Sequence, residues 1–439
     1  MTVGNTRQGW AAVAILFAAY AVSFVDRQIV GLLVEPIKSS LGITDTQIGM
    51  LQGPAFGLFY TVLGLPLGWL ADRVHRVRLI AVGITLWSVM TVCCGLATSY
   101  GMLFAARIGV GVGEAVLVPA AISLLADFFR PDQRALPMSI FTSGLSLGAG
   151  LALLLGGWFI GFANSGAAAL PLVGPWLAGL ATWQTAFCLA GSLGIPVVIA
   201  ILLLREPARG GVSVESSSTT GGSAVAYLFA TPRLFLPMLG GTALLYLFSN
   251  ALSAWMPTIF IRQHGWTPAE VGLRLGLLIM GCAITGNLTG GVIATRRARR
   301  GDNGAALRPM LIGSAMMIPA AGLACFAGNV PLAVAGFMLL YFGVALCFGV
   351  ATTAFVMLTP PAMRGRVVAI YLLVGNLVGL GLGPPSVGWL VDHVLRDPAR
   401  VGLALAIVAA VVLLPGFLLL YAARRPFVAR VAALAGSKG

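Results

Sequence analysis

Twelve stretches of almost unbroken apolar sequence, each about twenty residues or longer, dictate what this chain can become. They cover 10–34, 47–70, 78–98, 101–126, 135–162, 183–204, 234–261, 271–294, 308–327, 330–358, 366–393 and 401–422. A helix of about twenty apolar residues crosses the hydrocarbon core of a bilayer. Within that core only helices and closed barrels satisfy every backbone N–H and C=O. The apolar runs are continuous rather than alternating, so an all-α membrane protein with twelve transmembrane helices is expected. Only 9% of the 439 residues are charged, against about 25% in soluble domains. The first block is too long for a signal-peptide core and shows no cleavage-site pattern, which makes it a retained helix. All six Cys fall inside these blocks without disulfide or metal spacing, as small apolar packing residues do.

The net charge of +14 is a matter of placement. With the chain threaded twelve times and both termini in the cytoplasm, Lys38, Arg262, Arg274, Arg396 and Arg400 lie near the outer face. Arg27 and Arg107 lie within the membrane, and every other Lys and Arg falls on the cytoplasmic side. That asymmetry is the positive-inside rule. It points to a multi-pass protein of an inner membrane whose basic loops can also meet anionic lipid, and it leaves nucleic acid without a role as partner.

The chain repeats itself. Thr44, Gln47, Ile48 and Gly49 recur as Thr267, Glu270, Val271 and Gly272, and Gly68, Ala71, Arg73 and Arg76 recur as Gly291, Ala294, Arg296 and Arg299, all at an offset of 223. Pro131, Arg134, Ile140 and Phe141 return as Pro361, Arg364, Ile370 and Tyr371 at 230. Between the copies runs the longest polar interruption, with Ser216, Ser217, Ser218, Thr219, Thr220, Gly221 and Gly222, a flexible-linker composition. The expected organisation is a six-helix bundle over 1–204, a cytoplasmic linker over 205–232 and a second six-helix bundle over 233–439. Parallel repeats of this kind belong to carriers whose halves rock about a central site.

Four charges interrupt the apolar blocks of the first half. Asp26 and Arg27 are adjacent in the first, and Arg107 and Glu114 lie seven residues apart in the fourth. Charged groups at the bilayer centre cost roughly 2.5–3.5 kcal/mol each on insertion scales and survive facing protein or a wet cavity. Seven residues make about two helical turns, so Arg107, Gly111 and Glu114 share a face, whereas Asp26 and Arg27 diverge by about 100°. The equivalent positions in the second half are Ser249 and Asn250, so the charge is one-sided. Burial and a neighbouring Arg act oppositely on a carboxylate's hold on its proton, which makes Asp26 and Glu114 the proton-coupling candidates. Arg27 and Arg107, which can grip a phosphate or carboxylate bidentately, are the substrate-binding candidates, with Tyr246 and Asn250 lining the cavity from the other half. The alternative reading of the four charges is a structural pairing that holds helices together.

The loop after the second block reads Gly68-Trp-Leu-Ala-Asp72-Arg73-Val-His75-Arg76-Val-Arg78. It resembles the signature loop of the major facilitator superfamily, with His75 in place of that pattern's second Gly and Thr295 in place of Asp72 in the degenerate second copy. Arg107, Gly111 and Gly113 resemble the family's fourth-helix motif. Gly144, Gly148, Gly150, Gly156 and Gly157 resemble its glycine-rich fifth helix, which packs against the opposite half. Within the superfamily the chain is similar to the spinster group, on Ser23-Phe24-Val25-Asp26-Arg27, on the Arg107-to-Ala115 run, and on Pro119 and Phe128-Phe129-Arg130-Pro131. The resemblance implies the major facilitator fold and a conformational latch at Gly68, Asp72, Arg73 and Arg76. It also implies a proton-linked carrier of amphipathic lysolipid or sphingoid-phosphate substrates; a multidrug exporter or small organic-anion carrier is the alternative. Such a carrier acts as a monomer, and its energy comes from a proton gradient rather than a cofactor. No nucleophile or metal constellation, P-loop or filter-like carbonyl loop is visible, so enzyme, ATP-driven and channel readings are not expected.

Overall fold

The computed structural model describes residues 6–130, 133–166, 174–177, 179–207 and 223–436. It contains twelve helices long and apolar enough to cross a membrane, and no strand among the described residues. They are α1 (Arg7–Leu32), α2 (Asp45–Ala71), α3 (Arg76–Gly95), α4 (Tyr100–Phe128), α5 (Leu136–Ser165), α6 (Thr182–Leu202), α7 (Pro232–His264), α8 (Pro268–Arg299), α9 (Leu307–Phe326), α10 (Val330–Met357), α11 (Arg364–Leu395) and α12 (Val401–Ala422). A short helix, Val34–Leu41, follows α1, and the chain continues past α12 into a terminal helix, Arg424–Gly436. The central polar run 208–222 lies outside the described residues, but 205–232 also contains a helix, Ala224–Ala230.

The repeat at offset 223 is a repeat of helix starts. Thr44 accepts from the Gln47 N–H and the Gln47 side chain accepts from the Thr44 N–H, a reciprocal capping box at the head of α2. Thr267 and Glu270 make the same exchange at the head of α8. Each satisfies two of the N–H groups a helix leaves unpaired at its start.

Contacts divide the chain into two compact units that do not coincide with its two repeats. The first unit holds 1–211 together with 253–280 and 392–398; the second holds 212–252, 281–391 and 399–439. In the first unit the glycines of α5 set close crossings. A Cβ at Gly148 would meet the Phe24 ring of α1 at 3.1 Å, and one at Gly157 would meet the Gly272 backbone of α8 at 3.1 Å. In the second unit Gly375 and Gly379 of α11 leave room for Tyr246, whose ring also packs on Phe348 and Tyr371.

Two helices of the first unit are broken where charge is concentrated. Gly53 interrupts α2, and the following Pro54 has no N–H to give the preceding turn, as expected of proline inside a helical run. The α-helical ladder of α4 is interrupted directly after Glu114 and resumes at Leu117.

Candidate functional site

The four intramembrane charges meet in the first unit. Glycines in α4 bring them together: a Cβ at Gly111 would lie 2.5 Å from the Phe56 carbonyl of α2, and one at Gly113 2.7 Å from the Trp87 nitrogen of α3. With both neighbours this close, Arg107 and Glu114 are driven into the interior, each only 1% exposed. Arg107 does not pair with a carboxylate. Its Nη1 donates to the Asp26 backbone carbonyl at 2.8 Å and its Nε to the Leu51 carbonyl, beside the α2 break, at 3.4 Å. Glu114 takes the other arginine: Arg27 Nε and Nη2 both donate to Glu114 Oε2 at 2.6 Å. Its second oxygen, Oε1, is buried and accepts no hydrogen bond among the described residues.

Arg27 is held on its other sides by rings. Its guanidinium carbon lies 4.8 Å from the Phe24 ring centre and 4.6 Å from those of Phe56 and Tyr60. Such contacts are worth about 0.5–1 kcal/mol when exposed and about 2 when desolvated. Of the pair, Arg27 is the more open, its side chain 18% exposed. Asp26 is the opposite case. It is 1% exposed, and neither carboxylate oxygen accepts a hydrogen bond among the described residues. The Thr91 hydroxyl faces it without reaching hydrogen-bond geometry. An ionised carboxylate in such a setting is expensive, so protonation or an arriving donor would lower its energy. The arrangement offers one arginine shared between a carboxylate and three rings, and one carboxylate awaiting a proton or donor.

The residues of the signature loop are not all gathered. Gly68 lies alongside Pro119 with room for a Cβ at ordinary contact distance, Asp72 sits at the C-terminal end of α2 and is exposed, and Arg73 stacks on Trp69 at 3.5 Å. Arg76 is buried in a knot instead: its Nη1 donates to Asp127 at 2.5 Å and to the Ser123 carbonyl at 3.1 Å, and its Nε to Glu206 Oε1 at 3.0 Å. Glu206 Oε2 also accepts from the Val77 N–H and contacts His75 Nδ1 at 2.6 Å. Desolvation pushes the Glu206 proton affinity up, yet the hydrogen bonds from Arg76 and Val77 and the Arg76 charge outweigh it, leaving its pKa below the ordinary glutamate value. Tyr246 and Asn250 lie in the second unit. Asn250 donates to the Tyr246 carbonyl one turn back at 2.8 Å, and the Tyr246 hydroxyl accepts from Tyr371 at 3.4 Å.

Sequence reasoning missed a second ionic cluster of the first unit, at the α1–α2 turn. Arg262, at the end of α7, clamps Asp45 bidentately at 2.7 and 3.0 Å and Glu35 at 2.6 Å. Lys38 adds a 2.8 Å contact to Asp45, which is wholly buried. Asp392 accepts from the Thr46 N–H and hydroxyl at 2.6 Å, capping α2 from the end of α11. Spacing cannot reveal this cluster, since its members come from four separate segments. A hint was available in scarcity: with only 13 acids in the chain, Glu35 and Asp45 beside apolar blocks and Asp392 at the end of one are few enough to expect partners. The same applies to Asp127 and Glu206. Among the described residues no group of His, Cys, Asp and Glu is arranged to hold a metal ion.

Twelve membrane-length helices, with a buried ionic cluster lodged where two of them break, define a multi-pass membrane transporter for a small-molecule substrate. The family model for the Major Facilitator Superfamily matches residues 16–165 and 157–307, and the chain belongs to that superfamily. An MFS-type efflux pump of Mycolicibacterium smegmatis is 30% identical, over 93% of this chain and 91% of the pump. The bovine protein spinster homolog 1 is 27% identical, over 88% of this chain and 73% of its own length. A bacterial homolog of the human lysosomal transporter spinster, crystallised inward-facing and unoccupied, superposes with a TM-score of 0.81 at 25% identity, over 98% of both chains. The chain is therefore a spinster-like transporter and not an enzyme, and its relatives include an efflux pump.

Proposed function

We propose that this protein is a proton-linked secondary carrier of an amphipathic, anionic or zwitterionic lysolipid or sphingoid-phosphate-like substrate. It works by alternating access between its two six-helix halves, as a monomer, in an inner membrane with both termini in the cytoplasm. The observation that carries the reading is the shared Arg27. It is bound to Glu114 through a single oxygen and is partly open, whereas Arg107 is occupied by backbone carbonyls. A proton delivered to Glu114 removes the anion that holds Arg27 and frees the guanidinium for a substrate phosphate or carboxylate. Proton and anion then bind together, as symport requires. Asp26 supplies a second protonatable group in the same cluster. Arg107 ties the Asp26 backbone to α4, so that a shift of either helix is felt by the other.

The test is counterflow of a labelled lysophospholipid in proteoliposomes, with and without a pH gradient. Accelerated exchange in wild type, with the pH response lost in Glu114→Gln, is the expected result. No counterflow at any pH sinks the lipid reading. The identity with an efflux pump favours hydrophobic drugs as the second substrate class to screen.

A further inference from the structure

At the end of the second unit from which α7 starts, a cavity of about 470 Å³ lies between that start and the terminal helix Arg424–Gly436. Its walls include Thr231, Pro232, Arg233, Pro426, Ala429 and Arg430. Two polar atoms of these residues are buried without a hydrogen-bond partner among the described residues: Arg430 Nε and Thr231 Oγ1. Arg430 is nonetheless fixed in place, since its Nη2 donates to the Tyr227 hydroxyl at 2.9 Å, which in turn donates to the Leu358 carbonyl at 2.7 Å. The Arg430 guanidinium is anchored through Nη2, while its Nε, and the hydroxyl of Thr231 in the lining of the same cavity, have no partner among the described residues. Buried donors in native proteins almost always have a partner.

Charge and surface identify the acceptor. Arg233, Arg424 and Arg425 stand exposed on the same segments, and no Asp or Glu occurs in 223–236 or 421–436. The nearby loop carboxylate, Asp302, is taken by Arg308 and the Gly304 N–H. Exposed apolar side chains accompany this basic group: Phe229 is 64% exposed, and Val225, Leu236 and Tyr421 about half. Guanidinium with phosphate is a strong, charge-assisted pair, and an apolar rim beside a basic cluster suits a membrane surface rather than open water.

We propose that this cavity is a binding site for the phosphate of an anionic phospholipid, separate from the carrier's transported substrate. The Arg430 guanidinium supplies the charge that takes the phosphate, with Thr231 in the same lining, Arg233 adds charge from the rim, and the acyl chains lie along Phe229 and Leu236. The site ties the start of α7 and the terminal helix to the leaflet they face.

Native mass spectrometry of the full-length protein tests it, with phosphatidylglycerol, phosphatidylcholine and inorganic phosphate as separate probes. Wild type is expected to retain one phosphatidylglycerol at collision energies that strip phosphatidylcholine. Arg430→Gln is expected to lose that adduct. Arg233→Gln, whose side chain is exposed and whose folding is not at stake, is expected to weaken it about fivefold. Equal phosphatidylglycerol retention by wild type and both variants overturns the site. Saturation by inorganic phosphate with no preference for the lipid overturns its assignment to phospholipid. A failure of lysophospholipid counterflow leaves this prediction standing, because the two experiments probe different units of the molecule.

Discussion

Asp26 and Asp45 are equally buried carboxylates of the same unit, and they differ in what reaches them. Asp45 receives two hydrogen bonds from Arg262 and a contact from Lys38, so both of its oxygens are satisfied. Asp26 receives none, although two arginines lie in the same cluster, one spent on backbone carbonyls and the other on Glu114. A buried charge with full partners is a structural tie, and removing one partner strands the other. A buried carboxylate without partners stabilises nothing as it stands. On the reading proposed above, a protonated or rearranged state of the molecule makes use of it. The α1–α2 turn cluster is thus a set of satisfied ties, and the intramembrane cluster keeps one carboxylate outside any such tie among the described residues.

The sharpest break in that comparison comes from the satisfied side. Arg262→Ala leaves Asp45 buried with Lys38 alone and Glu35 unpaired, and about 3–5 kcal/mol of stability should go with it. A large fall in thermal melting in detergent is the check; an unchanged melting temperature means the cluster is no tie. Next in size is Arg27→Ala, which orphans Glu114 and removes the guanidinium proposed to meet substrate. Transport is expected to fall at least tenfold, about 1.4 kcal/mol in barrier or affinity, in a flux assay. Retention of full flux would remove Arg27 from the substrate path.

Asp26→Asn turns the comparison the other way. It deletes an unpartnered charge, so melting is expected to stay level or rise by about 1–3 kcal/mol equivalent, while the pH dependence of transport changes. The same substitution at Asp45 should destabilise. If both Asn variants lose stability alike, the distinction between the two carboxylates fails. Smaller again is the ring cage: Phe24→Leu removes one of three faces around Arg27 and should cost about 0.5–2 kcal/mol in the hold on its guanidinium. It is read as a shift in the pH at which transport is half-maximal.

What was legible follows the range of the forces involved. The twelve spans and the capping boxes at Thr44 and Thr267 are local, and the sequence carries them openly. So is the common face of Arg107 and Glu114, which helical spacing sets. The partner of each charge is not local. Arg27 and Asp26 point about 100° apart, and which of them meets Glu114 depends on how α1 is rotated against α4, while Gly111 brings α4 close to the Phe56 backbone of α2. Phe56 and Tyr60, one turn apart, are ordinary among 22 Phe and 8 Tyr until Arg27 is seen between them. Arg76 reads in the sequence as a member of a loop motif. Its burial with Asp127 and Glu206 depends on where α4 and α6 end, which no spacing encodes.

That Arg76 knot gives the smallest effect and a third kind of buried pairing to set beside the other two. Glu206 is mostly buried, its pKa held below the ordinary glutamate value by donors that exist only in the folded chain. A depressed folded pKa means that the stabilisation is fully present above the unfolded value, about pH 4.3. It is lost as pH falls from there through the depressed folded value. Wild type should therefore lose melting temperature on acidification across that window, and Glu206→Gln should flatten part of the loss while starting lower at neutral pH. Because the pair sits at the edge of the membrane span, its contribution should also shrink with added salt more than that of Asp45, which is wholly buried. An acid limb unchanged in Glu206→Gln would make Arg76 a tie held by Asp127 rather than by both acids.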